Sequence, residues 1–192
     1  MPDDPDVQKR ILRAELRERR QNMPAHEREL ATEGFTARLE ELVGSTEAES
    51  LSCYLSMPTE PNTRPFVNWA EARGIRVLFP VTREDGLLDW TVGEDEDETL
   101  GLHGVPEPVG ELLGPMAIND VDLILVPAAA VDGTGMRLGW GQGYFDKTLG
   151  SMEKCPPVYA VIFDSELVEW LPREVHDQAV NGVVTPKRII AF

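Results

Sequence analysis

Gly139, Gly141 and Gly143 alternate through Arg137-Leu138-Gly139-Trp140-Gly141-Gln142-Gly143-Tyr144-Phe145-Asp146, which follows an apolar run beginning at Val121. Glycine lacks the Cβ that holds a ligand away and reaches positive φ, so several amides of such a loop can converge on one anionic oxygen. Residues 144–149 read as the start of a helix, whose N-terminus adds partial positive charge. Arg137 supplies a forked donor ahead of the loop, and Asp146 a carboxylate suited to Mg²⁺ behind it. The spacing is G-x-G-x-G and not the dinucleotide G-x-G-x-x-G, because Tyr144 stands where the third glycine would fall. No Gly-Lys-Ser/Thr triplet occurs, so the loop is not a P-loop either. Anion binding is the reading that the flanking Arg137, Tyr144 and Asp146 favour over a plain glycine turn.

A second chemical signal lies near the start of the chain. Net charge is −16, yet Lys9 to Arg20 holds six basic residues and two acids, a local +4. On a helix, Lys9, Arg13, Arg17 and Arg20 fall within about 80° of arc, beside Leu12 and Leu16. So acidic a chain has no basic face broad enough for nucleic acid. Glu60, between Pro58 and Pro61, offers a carboxylate able to accept two donors side by side; on its own it reads as an exposed loop acid. His26 and His103 read as solvated, and His176 beside Asp177 is too few ligands for a metal. Cys53 and Cys155, the only cysteines, lack metal-ligand spacing and read as buried or incidental thiols.

The elements that must position these residues alternate. Residues 7–22 and 25–43 are amphipathic helices divided by Pro24, the second presenting Leu30, Phe35, Leu39 and Leu42 on one side. Strands are expected at 51–57, 75–81, 121–126, 158–163 and 182–185, and helices at 65–73, with Phe66 and Ala70 inward, and at 144–152. Residues 87–92 form an antiparallel excursion, and Glu94 to Glu98 an exposed acidic loop. This β-α-β spacing predicts an α/β fold, a single three-layer domain over residues 1–192 with a mostly parallel central sheet. Its ligands should collect at the carboxyl ends of the strands. No apolar run reaches the roughly 20 residues a membrane helix needs, and the acidic start is wrong for a secretory signal, so a cytoplasmic protein is expected.

Four motifs together resemble the 5-formyltetrahydrofolate cyclo-ligase family, also called methenyltetrahydrofolate synthetase. Lys9-Arg10-Ile11-Leu12-Arg13 is similar to the family's K-x-x-L-R, Leu55 to Thr63 to its L-S-M-x-x-E-x-x-T, and Gly104-Val105-Pro106-Glu107-Pro108 to its G-I-P-x-P. The glycine loop is similar to its R-L-G-x-G-x-G-Y-Y-D, and the four occur in the family's order over nearly the whole chain. The resemblance implies an architecture similar to sugar-phosphate isomerases and CoA transferases. It implies ATP- and Mg²⁺-dependent closure of 5-formyltetrahydrofolate to 5,10-methenyltetrahydrofolate, releasing ADP and phosphate. It further implies nucleotide binding by Lys9, Arg10, Ile11, Leu12 and Arg13, with Lys9 and Arg13 on the phosphates, and by Arg137, Leu138, Gly139, Trp140, Gly141, Gln142, Gly143, Tyr144 and Phe145. The residue pattern by itself leaves Arg10, Arg17 and Arg19 as a solvated face.

The same resemblance implies folate contacts from Leu55, Glu60, Trp140 and Tyr144, catalytic roles for Arg137 and Tyr144, and Mg²⁺ at Asp146 and Asp177. Asp177 can equally be read as a loop carboxylate capping its own backbone. Small-molecule substrates, a monomer or weak homodimer, and no nucleic-acid or membrane partner complete the expectation. Phe145, Gln142, Lys147 and Asn181 depart from the residues common at those places, Gln142 replacing a Lys that some members carry. A non-catalytic folate- or nucleotide-binding relative would lack part of the set Lys9, Arg13, Arg137 and Asp146, all of which are present. An isomerase or CoA transferase on the same architecture would have no use for the basic N-terminal helix.

Overall fold

The computed structural model describes residues 4–93, 97–153 and 155–192. Chain order is α1 (Pro5–Gln21), α2 (Ala25–Thr46), β1 (Ser50–Ser52), α3 (Arg64–Ala72), β2 (Arg76–Thr82) and β3 (Leu88–Thr91). Then come β4 (Glu98–Leu100), β5 (Pro106–Pro108), β6 (Leu112–Leu113), β7 (Leu123–Pro127), β8 (Ala130–Asp132) and β9 (Arg137–Leu138). α4 (Tyr144–Gly150), β10 (Val158–Val161), β11 (Leu167–Val168), β12 (Gly182–Val184) and β13 (Ile189–Ala191) complete it. An eight-stranded sheet runs β13-β12-β10-β7-β1-β2-β3-β6. Its five central strands are mutually parallel, while β13 and β3 pair antiparallel at the flanks. The fold is therefore α/β with a mostly parallel sheet, and the antiparallel excursion expected at 87–92 is β3.

The sheet is buried on both faces, and the period-2 alternation of β7 shows how. Leu123 and Leu125 face Phe35, Leu39 and Phe66 of α2 and α3, while Ile124 and Val126 face Ile118 and Leu149 on the other side. β2 sorts in the same way, with Val77 and Phe79 toward α2 and α3 and Leu78 toward the opposite layer. Each such apolar side chain contributes roughly 1.5–3 kcal/mol when fully buried. Phe66 and Ala70 point inward as expected, but Leu30 is 54% exposed. At 100° per residue it lies about 120–180° around the helix from Phe35, Leu39 and Leu42, so it could not share their face.

α1 is built differently. Asp4 caps it, accepting from the Asp6 amide at 3.0 Å, and proline occupies the first turn. Its buried residues are Lys9, Leu16 and Arg20, so the face it turns to the protein is largely cationic. Leu16 anchors it against Ala129, Ala130, Leu138 and Leu171, which belong to or adjoin the small sheet β11-β8-β9. No helix among the described residues is long and apolar enough to cross a membrane.

β1 is shorter than the strand expected at 51–57. Beyond Ser52 the Cys53 amide still donates to Leu78 O at 3.0 Å, after which Tyr54 O accepts the Thr63 hydroxyl at 2.7 Å and the chain leaves the ladder. Of the acidic run, residues 94–96 lie outside the described residues. Glu98 opens β4, and its carboxylate takes both terminal nitrogens of Arg64 in a fork, so this end of the run is an anchored strand and not a loop.

Candidate active site

The carboxyl ends of β1, β2 and β7 open into one cavity of about 630 Å³, roofed by α1 and closed on the far side by the start of α4. Leu55 and Glu60 reach it from the segment after β1, Pro80 and Thr82 from β2, and Pro127 from β7. Its size and its place at the strand ends suit a small-molecule site.

The glycine loop forms one wall. Gly141 has φ 103° and Gly143 φ 74°, conformations that other residues rarely adopt. Gly139 serves by proximity instead, since a Cβ there would lie 3.2 Å from the Arg137 guanidinium. Arg137 is 5% exposed, donating to Pro127 O at 2.8 Å and to Asp146 Oδ1 at 3.3 Å, while its Nε has no partner among the described residues. Burial pulls its pKa below the ordinary arginine value against the opposing pull of Asp146, which leaves so basic a group charged. Arg137 thus underpins the loop with a buried positive charge.

The α1 stripe adjoins the loop. Lys9, Arg13, Arg17 and Arg20 all line the cavity, whereas Arg10, Ile11 and Leu12 do not. Arg10 and Ile11 face solvent and Leu12 packs beside Leu16, so the helical phase does not bring these three to the cavity wall with Lys9 and Arg13. Arg17, expected to be merely solvated, is exposed but sits on the cavity wall because it shares the Lys9 and Arg13 arc. Arg13 Nε donates to Gly139 O at 2.7 Å, which ties α1 to the glycine loop. Lys9 Nζ lies 2.5 Å from Glu174 and 2.6 Å from Asp177. Burial depresses the Lys9 pKa, but the two carboxylates outweigh it and hold the ammonium above its ordinary value.

On the β1 side, Leu55 is buried at the wall. Glu60 Oε2 accepts the Met57 amide at 2.8 Å, and its other oxygen has no protein partner among the described residues. Burial raises the Glu60 carboxyl above its usual range, with the Met57 amide and the Arg20 guanidinium pulling it partly back. Tyr54 lies fully buried alongside, its hydroxyl without a hydrogen-bond partner among the described residues. Thr63 is buried within the turn that presents Glu60. Cys53 sits in the core with its thiol pushed up to about 12 by burial, an inert group.

Tyr144 and Phe145 line the cavity from the start of α4. The Tyr144 hydroxyl donates to Arg83 O at 3.1 Å and lies 3.4 Å from His103 Nε2, so what faces the cavity is chiefly its ring. His103 is exposed as expected, but it also lines the cavity mouth, held there by a left-handed φ of 61°. Asp146 and Asp177 both line the cavity as well. Their carboxylates are hard oxygen donors that fit Mg²⁺, and each already faces a protein cation, Arg137 and Lys9 respectively. Asp177 also accepts the Glu174 amide at 2.8 Å, the local capping its position suggested. Asn181 is structural: its side chain accepts the Val158 amide at 2.8 Å.

Two acidic partners escaped the sequence reading. Glu174 joins His176 and Asp177 in a group whose ligand atoms lie within 4.8 Å of one another, supplying the third ligand that His176 and Asp177 lacked. Glu166 takes Arg20 in a buried fork at 2.7 and 2.8 Å, and Arg20 also donates to Ala128 O at 2.8 Å. Each pairs with α1 from the far end of the chain, where no local pattern marks it.

Residues 5–186 match the model of the 5-formyltetrahydrofolate cyclo-ligase family. A 5-formyltetrahydrofolate cyclo-ligase of Mycolicibacterium smegmatis is 35% identical over 182 residues, 92% of this chain and 93% of that protein. The one from Escherichia coli K12 is 29% identical over 181 residues, 91% and 98% of the two chains. Among solved structures, an Aquifex aeolicus 5,10-methenyltetrahydrofolate synthetase aligns with a TM-score of 0.77 at 28% identity, covering 95% of this chain and 92% of that one. A 5,10-methenyltetrahydrofolate synthetase from Mycoplasma pneumoniae aligns at 0.75 and 17% identity over 93% and 98%, a likeness of fold.

Proposed function

Because the chain belongs to the 5-formyltetrahydrofolate cyclo-ligase family, ATP-using ligases that close 5-formyltetrahydrofolate to 5,10-methenyltetrahydrofolate, we propose that the cavity beneath α1 holds both substrates and that its walls divide the work. The wall after β1 takes the folate. A reduced pterin presents an amino group and ring N–H donors side by side, and the unpartnered oxygen of Glu60 is placed to accept from them, with Leu55 as the apolar contact. The α1 and glycine-loop walls take the nucleotide. Lys9 and Arg13 meet the distal phosphates, and the amides of residues 139–143, backed by Arg137, cradle the phosphoryl group in transfer. The Tyr144 ring packs against the bound ligands at the junction.

The chemistry asks for positioning more than for acid–base work. A formyl oxygen leaves poorly as oxide or hydroxide. Once it attacks the γ-phosphorus, ADP departs and the oxygen becomes part of a phosphate leaving group. N10 then attacks the formyl carbon, loses its proton, and phosphate departs as the ring closes. Charge stabilisation and alignment carry such a reaction. Asp146 and Asp177 would hold Mg²⁺, which when bound supplies neutralising charge at the phosphates. The convergence of Lys9, Arg13, Glu60, Arg137, Asp146 and Asp177 on one cavity supports this reading. Appearance of methenyltetrahydrofolate absorbance from 5-formyltetrahydrofolate, with ATP and Mg²⁺ each omitted in turn, tests it. Turnover that persists without ATP would overturn the nucleotide assignment, and turnover unaffected by chelation would overturn the metal assignment.

A further inference from the structure

Lys9, Arg13, Arg17, Arg20 and Arg137 line the cavity, and four of them have polar partners in the protein. Lys9 lies between two carboxylates, Arg20 in the Glu166 fork, Arg137 between Asp146 and Pro127 O, and Arg13 holds Gly139 O. Arg17 alone of these has no hydrogen-bond acceptor and no ion pair among the described residues. Its contact is with the Trp140 ring, whose centroid lies 5.4 Å from the guanidinium carbon. Trp140 is itself held by Arg20, whose guanidinium carbon sits 5.0 Å from the same centroid and is fixed by Glu166. The indole therefore works as a platform: it restricts a long surface side chain by cation–π contact and leaves the forked N–H donors open. Residues 138–143, the loop itself, contain no cation.

We propose that Arg17 binds the β- and γ-phosphates of the nucleotide and that Trp140 is the positioning residue that aims it. The proposal rests on the assignment of this cavity to ATP. A triphosphate above the loop amides presents several anionic oxygens, and an unengaged guanidinium stacked on Trp140 beside those amides can take two of them at once. Arg19, two residues along α1, points away from the cavity and gives a control of equal charge on the same helix.

Titration calorimetry of the full chain with ATP, ADP and AMP, and separately with 5-formyltetrahydrofolate, tests the proposal. Arg17→Ala should weaken ATP and ADP by roughly tenfold while AMP and the folate stay within about twofold, with Arg17→Lys recovering part of the loss and Arg19→Ala changing little. Trp140→Ala should weaken ATP in the parent but add nothing to Arg17→Ala, the coupling expected if the indole acts through the guanidinium. ATP affinity unchanged in Arg17→Ala, an equal loss for AMP, a loss confined to the folate, or full additivity with Trp140→Ala would each overturn the proposal. Failure of the parent itself to bind ATP would instead overturn the cavity assignment on which it rests.

Discussion

Replacing Glu60 by Gln should weaken folate binding, remove its acid dependence and leave the protein no less stable. In the parent, Glu60 lines the cavity, one carboxylate oxygen holds the Met57 amide at 2.8 Å and the other has no hydrogen-bond partner among the described residues. A glutamine must choose. If its oxygen keeps the Met57 amide, its NH₂ confronts the N–H donors of the pterin; if the oxygen turns to the pterin, the NH₂ confronts Met57. Losing a charged hydrogen bond costs about 1.5–3 kcal/mol, or roughly 10–150-fold in Kd. The pH dependence follows from burial, which raises the Glu60 pKa above the ordinary glutamate value. Only the carboxylate accepts twice, so folate affinity should fall as pH drops through that raised value, in a range above the ordinary ~4.3. Stability runs the other way. A carboxyl whose folded pKa is raised is more costly to keep ionised in the native state than in the unfolded chain, a cost present at neutral pH and relieved on acidification. The variant should therefore melt at or above the parent temperature near neutrality. Binding of 5-formyltetrahydrofolate followed by calorimetry or fluorescence from neutrality down to the ordinary glutamate range gives the first readout, and a thermal melt the second. Parallel pH slopes in the two proteins, an equal loss of ATP affinity, or a large drop in melting temperature would show that Glu60 is only a loop-closing acid.

Arg13→Ala removes the 2.7 Å bond to Gly139 O and a cation from the cavity wall, and should cost about 1.5–3 kcal/mol in ATP binding with the fold retained; an unchanged nucleotide titration would refute this. Asp146→Asn should raise the Mg²⁺ concentration needed for turnover and lower the maximal rate. It should also lower the melting temperature by a few degrees, at about 2–4 °C per kcal/mol, because Asp146 balances the buried Arg137; superimposable rate curves against Mg²⁺ would exclude it from the metal site. Glu166→Ala leaves Arg20 buried without its counter-charge and should cost about 3–5 kcal/mol of stability, seen as a melting shift of roughly 6–20 °C; a loss under about 1 kcal/mol would contradict the buried fork.

The parts of this molecule that its sequence discloses are those with a short period or a demanding backbone. β7 alternates its apolar residues between two buried layers, and the Lys9, Arg13, Arg17, Arg20 arc follows from the helical repeat alone. Gly141 and Gly143 declare a loop because few other residues hold their φ values. Ladders as short as β8, β9 and β11 leave no such trace, since two or three residues cannot establish alternation. Glu166 and Glu174 were hidden for another reason: what makes them matter is a cation more than a hundred residues away, and charge by itself does not distinguish them from the many solvated acids of this chain. Arg10 and Ile11 show the converse, where membership in a motif includes neighbours that the helix turns outward.

The contacts of α1 also set an order of events during synthesis. Arg13, Arg20 and Lys9 reach partners 126, 146 and 168 residues further along the chain. These three cavity-lining cations are thus synthesised long before the partners that place them. Contacts of such separation form late, after the intervening sheet has closed the long loop between them. A ligand stabilises only the state that binds it, so the nucleotide pool can protect finished molecules and has no purchase on nascent ones.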